Sequence, residues 1–376
     1  MARRLFSVDD HIIEPPDVWA DRLPEKYKGS GPRVVEVDGR QGWNYEDQRI
    51  HSIGLNAVAG LPPEQWGTDP VRYDAIQPAC YDPRARAEGF RRDGIVASMA
   101  FPDMPGFAGH RFTLMKDKAL ADLCVKAFND WVFDEWCAAA PDLFVPLNIL
   151  QLWDPALAAA EVRRCAARGC RSVAFPEQVT NLGLPSFHSR AWDPLWQALE
   201  ETGVVVSIHG GASGPVPLLN PDSHLMSPII GGGTALGGML ITDLMTSRVL
   251  REFRNLKFIV TEGGIGFLPY LLERADLMYS RHNCWAKFGD EPMTDVYRRA
   301  IWVCAVGERF GVEHRHRIGL DRILWESDFP HAETNWPESQ SAVERLHAGV
   351  PEPEIDTMVY GNAARLLRFQ GERLAA

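Results

Sequence analysis

A few residues stand at spacings that could do chemistry. Near the start, "SVDDHII" (residues 7–13) puts two aspartates and a histidine inside an apolar run. Acidic residues are depleted in strands, and alternate residues of a strand share a face. Ser7, Asp9 and His11 then point one way, while Phe6, Val8 and Ile12 point the other, with Asp10 the odd member of that face. Such a strand packs on one side and presents Asp-x-His on the other. Further along, "SIHGG" supplies His209, "TEGG" supplies Glu262, and "ESDFPH" supplies Asp328 and His331. Two imidazoles and two carboxylates (Asp9, His11, His209 and Asp328) form a normal ligand set for one divalent ion, Zn²⁺ first, with Mn²⁺ or Fe²⁺ as alternatives. Glu262, Asp328 and His331 are the candidates for proton transfer. His188, in "PSFHSRAWDP", is a candidate substrate contact, and Glu14 a candidate outer ligand or hydrogen-bond acceptor behind the ligands. His51, His110 and His224 are expected in loops and are assigned no role.

These residues need a scaffold that brings them together. Apolar runs at 95–102, 143–150, 171–176, 204–209, 256–264, 300–306 and 322–330 read as strands, joining the one that holds Asp9. Amphipathic helices are expected between them at about 84–94, 114–140, 155–169, 191–203, 236–253 and 266–282, with a closing helix at 362–369. The middle strands are continuous apolar runs, as when both faces are buried. Eight alternating strand–helix units predict a (β/α)₈ barrel, an α/β fold. A doubly wound open sheet is the alternative, weakened because no Gly-rich phosphate loop follows an early strand. In a barrel the C-terminal strand ends build the active site, and the polar residues named above fall at four of those ends. Alone, each has an ordinary reading: a bonded histidine, a turn aspartate, a helix-capping glutamate. Together they favour a metal, because one cation offsets the burial of several charges. The closing helix is expected beside the first strand, since a closed sheet brings strands one and eight together.

After the first strand, residues 14–75 form a long insertion. Within it "VVEVDGRQGWNYE" (34–46) reads as a hairpin turning at Asp38-Gly39. The insertion is expected to act as a lid or an oligomer contact, and residues 1–376 as a single metal-dependent barrel domain.

The totals narrow the class. The 376 residues carry a formal charge of -11, which argues against nucleic acid as partner. No apolar run of membrane-spanning length stands out, so no membrane partner is expected. Seven scattered cysteines without a Cys-x-x-Cys pair predict free thiols in a reducing cytoplasm. A small molecule is the expected substrate.

"VDDHIIEPPDVW", "YDPRAR", "DGIVASMAFP", "WDPLWQALEETG", "SIHGG", "NLKFIVTEGGIGFLPYLLERAD" and "LWESDFPHAETNWP" together resemble the amidohydrolase superfamily (amidohydrolase family 2). More closely they are similar to its branch typified by aminocarboxymuconate-semialdehyde decarboxylase. The likeness runs from about residue 7 to residue 366. It implies a TIM barrel with one divalent metal, on a homodimer or higher homo-oligomer. It also implies non-oxidative decarboxylation of a small aromatic or unsaturated carboxylic acid. The alternative within the same superfamily is hydrolysis of a C–N, C–O or C–C bond with hydroxide generated at the metal. Carried over, the first-strand metal pair falls on Asp9 and His11, with Asp where the typical decarboxylase has His or Glu. The other ligands fall on His209 and Asp328. At the end of strand six many family decarboxylases carry a histidine, whereas this chain has Glu262.

Overall fold

The structure, a computed structural model, describes residues 2–371 other than 51–53, 68–71, 215–219, 221, 225 and 306. His51 lies outside the described residues. Eight parallel strand positions close into a ring. They are Leu5–Ile12, Ile95–Pro102, a third strand in two pieces (Phe144–Val145 and Leu147–Asn148), Ser172–Pro176, Val205–His209, Phe258–Thr261, Ile301–Ala305 and Ile323–Trp325. Each pairs with its chain neighbour, and the first strand meets the eighth with Ser7 opposite Trp325. The third strand is split at Pro146, which has no N–H to give to a ladder. Its first piece pairs with the second strand and its second piece with the fourth. The ring is therefore the (β/α)₈ barrel expected from the sequence.

The helices begin and end where their caps dictate. Asp82, Asp117 and Asp154 each accept two backbone N–H groups at the starts of Pro83–Asp93, Lys118–Trp131 and Pro155–Ala167. Gly94 and Gly203 stop their helices at φ 80° and φ 64°. The long helix expected from 114 thus starts at Lys118. The larger difference lies after strand five. The helix expected over 236–253 begins ten residues sooner, at Met226, ends at Thr246, and resumes as Arg248–Glu252 after Ser247 caps it. The helix thus takes in the glycine run at 231–233, where each glycine costs it about 1 kcal/mol against alanine. The packing accounts for Gly233 in that run and for Gly237 one turn further on. A Cβ on Gly233 would lie 2.6 Å from the carbonyl oxygen of Glu262, and one on Gly237 3.2 Å from the Cα of Gly263. This helix is 21 residues long with a mean hydropathy of 1.3, long and apolar enough to cross a bilayer by those two measures, and 28% buried. That corrects the expectation that no run reaches such a length. Its buried residues Leu236, Gly237, Ile241, Leu244 and Met245 pack it on the barrel.

In the insertion, Arg33–Val37, Arg40–Tyr45 and Gln48–Ile50 form a small antiparallel sheet. Its first turn is at Asp38-Gly39, both at positive φ, as expected. The Glu46 carboxylate accepts the N–H groups of Lys116 and Asp117 at 3.0 and 2.8 Å, tying this sheet to the helix after strand two. The closing helix is Asn362–Leu366, and Phe369 just beyond it meets Phe6 of the first strand edge-on at 6.1 Å.

Behind the first strand lies a fully buried arginine. Arg86 donates from Nε to the Ala79 carbonyl (2.6 Å) and from Nη2 to those of His11 (2.8 Å) and Cys80 (3.3 Å). Its guanidinium lies over the Phe329 ring at 4.2 Å. Burial lowers its pKa to about 10, against the attraction of Asp10. Arg86→Met strands three carbonyls and the Asp10 charge, so a loss of about 3–5 kcal/mol in unfolding free energy is expected in denaturant melts. Arg86→Lys should not restore it, because one ammonium cannot reproduce the fork.

Candidate active site

The first strand answers the puzzle of its paired aspartates. Asp9 and His11 face the barrel interior. Asp10 faces outward, where its carboxylate accepts the Ser98 hydroxyl (2.5 Å) and the Phe329 N–H (3.2 Å). It stitches strand one to its two neighbours. Ser7 adds a second tie to the strand-eight side, accepting the Ser327 N–H at 2.8 Å, and donates to the Asp9 carbonyl at 3.0 Å. The His11 N–H donates to the Phe329 carbonyl at 2.7 Å and the Asp328 N–H to that of Asp9 at 2.9 Å. The first and last strands thereby hold their polar ends in fixed register.

Strands six and eight end sooner than their apolar runs suggested. Glu262 and Asp328 sit just past the ladders with φ of 50° and 55°. Non-glycine residues in this left-handed region store strain, which clusters at functional sites. The bend turns both carboxylates toward the mouth of the barrel.

There the groups converge. Nε2 of His11 lies 3.1 Å from Nε2 of His209. Carboxylate oxygens of Asp9 approach the two rings at 3.4 and 3.5 Å, and Asp328 approaches His11 at 3.4 Å. Glu262 lies 3.4 Å from His209 and 3.7 Å from His331, whose Nδ1 is 3.0 Å from Asp328. The His331 ring stacks on that of His11 at 3.6 Å. Nδ1 of His209 lies 2.5 Å from the Gly210 carbonyl oxygen. That nitrogen must carry the proton, which leaves Nε2 as a lone pair aimed at the cluster.

Such an arrangement calls for a positive charge. Both oxygens of buried Asp9 lack a hydrogen-bond donor among the described residues. Burial, then the charges of Glu326, Glu262 and Asp328, push its pKa well above the carboxylate range. Burial also raises Asp328, to about 7, against the pull of His331. At Glu262 burial is outweighed by His209 and His331, which hold its pKa at about 2. At His331 burial is outweighed by Asp328 and Glu262, which push its pKa up to about 10. Lone pairs of nitrogen and oxygen facing one another, with orphaned carboxylate oxygens, fit a divalent cation. Ligand atoms of Asp9, His11 and His209 lie within 4.8 Å of one another, as do those of His11, Glu262, Asp328 and His331.

Six of the eight candidates therefore meet: Asp9, His11, His209, Glu262, Asp328 and His331. His188 is not brought to them. It is exposed and paired with Asp243 at 2.8 Å. Glu14 is buried, but its carboxylate accepts the N–H groups of Asp103 and Met104 at 3.0 and 2.8 Å. It fixes the loop after strand two rather than backing a ligand. His110 opens a short helix, His110–Leu114, instead of lying in a loop. Two neighbours of the cluster escaped the sequence reading. Glu326, buried two residues before Asp328, lies just past the eighth strand, near enough to raise the pKa of Asp9. Phe107 comes from a loop with no periodic pattern.

Known proteins resemble this chain over most of its length. The family model described as amidohydrolase matches residues 61–369. A curated relative, the decarboxylase orsB of Emericella nidulans, is 26% identical over 269 residues, 66% of this chain and 77% of its own length. The gamma-resorcylate decarboxylase of a Polaromonas species is 25% identical over 276 residues, 67% and 78% of the two chains. Among solved structures, the amidohydrolase map2389c of Mycobacterium avium subsp. paratuberculosis superposes with a TM-score of 0.77 at 24% identity, covering 98% of this chain and 100% of that one. The 5-carboxyvanillate decarboxylase LigW2 of Novosphingobium aromaticivorans, with manganese bound, superposes with a TM-score of 0.66 at 16% identity and 97% of each chain. The matched model spans most of the sequence and includes His209, Glu262, Asp328 and His331, so this chain belongs to the amidohydrolase family.

Proposed function

We propose that the chain is a metal-dependent, non-oxidative decarboxylase of a small aromatic or unsaturated carboxylic acid. The observation that carries this reading is the cluster of facing imidazole and carboxylate lone pairs at four strand ends, with His331 and Glu262 at its open side. In this assignment Asp9, His11, His209 and Asp328 hold one divalent ion. The ion supplies a Lewis acid for the substrate's carboxylate or an adjacent oxygen. In the reaction the bond from ring carbon to carboxylate breaks, its electron pair stays on carbon, and carbon dioxide leaves. The carbon then takes a proton, which His331 is placed to deliver from between Asp328 and Glu262. Two curated relatives being decarboxylases supports the same reading.

The donor set suits zinc, which was expected, and equally manganese, which LigW2 holds. The test uses protein loaded separately with each ion. Its substrates are 2,6-dihydroxybenzoate and 5-carboxyvanillate, named for the decarboxylases among the structural neighbours, with simpler hydroxybenzoates beside them. Release of carbon dioxide from at least one acid is expected. No release from any, with cleavage of an ester, lactone or anilide, would replace this reading with the second one, hydrolysis. One observation favours that second reading: Glu262 is a carboxylate held ionised where a base would act on water.

The assembly is assigned on similar grounds. Ile229, Ile230 and Met239 on the helix Met226–Thr246, and Tyr270 and Trp285 on Leu268–Ala286, are exposed apolar side chains. Such exposure supports a homo-oligomer, to be checked by light scattering. Seven unpaired cysteines support a reducing, cytoplasmic setting.

A further inference from the structure

Phe107 packs directly on the candidate ligands. Its ring centroid lies 4.3 Å from that of His209, 4.7 Å from that of His11 and 5.8 Å from that of His331. No polar role suits a phenylalanine here, and packing alone would be served by an aliphatic side chain.

The segment that carries it is anchored at its start. Glu14 holds the N–H groups of Asp103 and Met104, while Arg111 donates from Nη1 to the carbonyls of Asp103 (2.8 Å) and Met104 (2.7 Å). Gly106, at φ 76°, lets the chain pass the His110 ring, which a Cβ there would meet at 2.2 Å. The ring is thus a fixed surface built into the mouth.

Exposure then narrows the approach. The side chains of Asp9, His11 and His209 are at most 1% exposed and that of Asp328 is 3% exposed. His331 reaches 11%, Glu262 26%, and Phe107 is partly buried. An incoming molecule meets the Phe107 ring and the Glu262 carboxylate before it meets the ligands. The Phe107 ring offers an apolar face there, and flat rings prefer offset or edge-to-face contact with it.

We propose that Phe107 is a specificity-determining residue: its ring forms the apolar wall beside the metal cluster and selects flat, unsaturated acids over puckered ones of equal charge. This rests on the decarboxylase reading for the carboxylate it places at the cluster. It concerns only which acid binds. The probe pair is benzoate and cyclohexanecarboxylate, alike in charge and ring size but different in thickness. Binding of each to manganese-loaded wild type, Phe107→Leu and Phe107→Tyr is measured by calorimetry, with metal content and Tm on the same samples. Wild type should prefer benzoate. Phe107→Leu should cut that preference roughly twofold to tenfold, the size of an aromatic contact. Phe107→Tyr should keep it, and all three should hold equal metal. An unchanged preference in Phe107→Leu overturns the proposal, as does binding of neither acid by wild type. Loss of metal in Phe107→Leu also overturns it, making the ring a support for the imidazoles. Carbon dioxide release is not read, so failure of the decarboxylase reading shows separately, in the turnover assay.

Discussion

His11→Ala and His209→Ala proteins are expected to purify without metal and without activity. Each substitution removes one of two imidazole nitrogens that face each other at 3.1 Å in the cluster assigned to the ion. One divalent ion per chain in the wild type should fall to background in both variants, read by elemental analysis. The loss should also appear as a lower Tm that added Mn²⁺ no longer raises, because an ion that binds only the folded state stabilises it by mass action. Asp10→Asn supplies the contrast. Asp10 is as buried as Asp9 but faces the outer layer, bonded to Ser98 and the Phe329 N–H, so its variant should keep the ion. Full metal retention in both histidine variants would remove Asp9, His11, His209 and Asp328 from the role assigned to them.

The second large effect is expected at Glu262. Glu262→Gln keeps the shape and removes the charge, and should lose roughly 10²–10⁴-fold in turnover while keeping its metal. Metal content and turnover must be read on one sample. Loss of the ion would make Glu262 a ligand, which its 3.4 Å approach to His209 permits geometrically. Near-normal turnover would reduce it to a structural group at the bend after strand six and leave proton transfer to His331. Glu262→His restores the residue that many family decarboxylases have there. It should retain more decarboxylation than Glu262→Gln if carbon protonation limits the rate.

Much of this site was legible because strand periodicity is simple. Asp9 and His11 two apart, and a polar residue closing each of several apolar runs, needed only the rule that strand ends build a barrel's mouth. The eight strands were legible for the same reason, since fully buried parallel strands are continuous apolar runs. What escaped depends on distant partners. The helix expected from 236 starts at Met226 and runs through glycines 231–233, with Gly233 against the backbone carbonyl of Glu262, far along the chain. His188 carried the right chemistry in a plausible loop, yet Asp243 claims it at the surface. Phe107 had no pattern at all; its meaning comes from three imidazoles delivered by other strands.

The Ser7–Ser327 hydrogen bond joins residues 320 apart, beside Asp9 and Asp328. During synthesis the first strand therefore emerges long before the edge it must pair with. It waits as an open ladder while nearly the whole chain is made, the condition in which apolar strands recruit one another into aggregates. A run of Leu5, Phe6, Val8, Ile12 and Ile13 would be a hazard in that interval. Asp9, Asp10 and His11 break the run with charge until the eighth strand arrives. The residues that gather the metal in the finished barrel thus also keep its unfinished edge soluble. Replacing Asp9 and Asp10 together by asparagine should raise the aggregated fraction on expression more than the loss of metal alone, with His11→Ala as the measure of the latter.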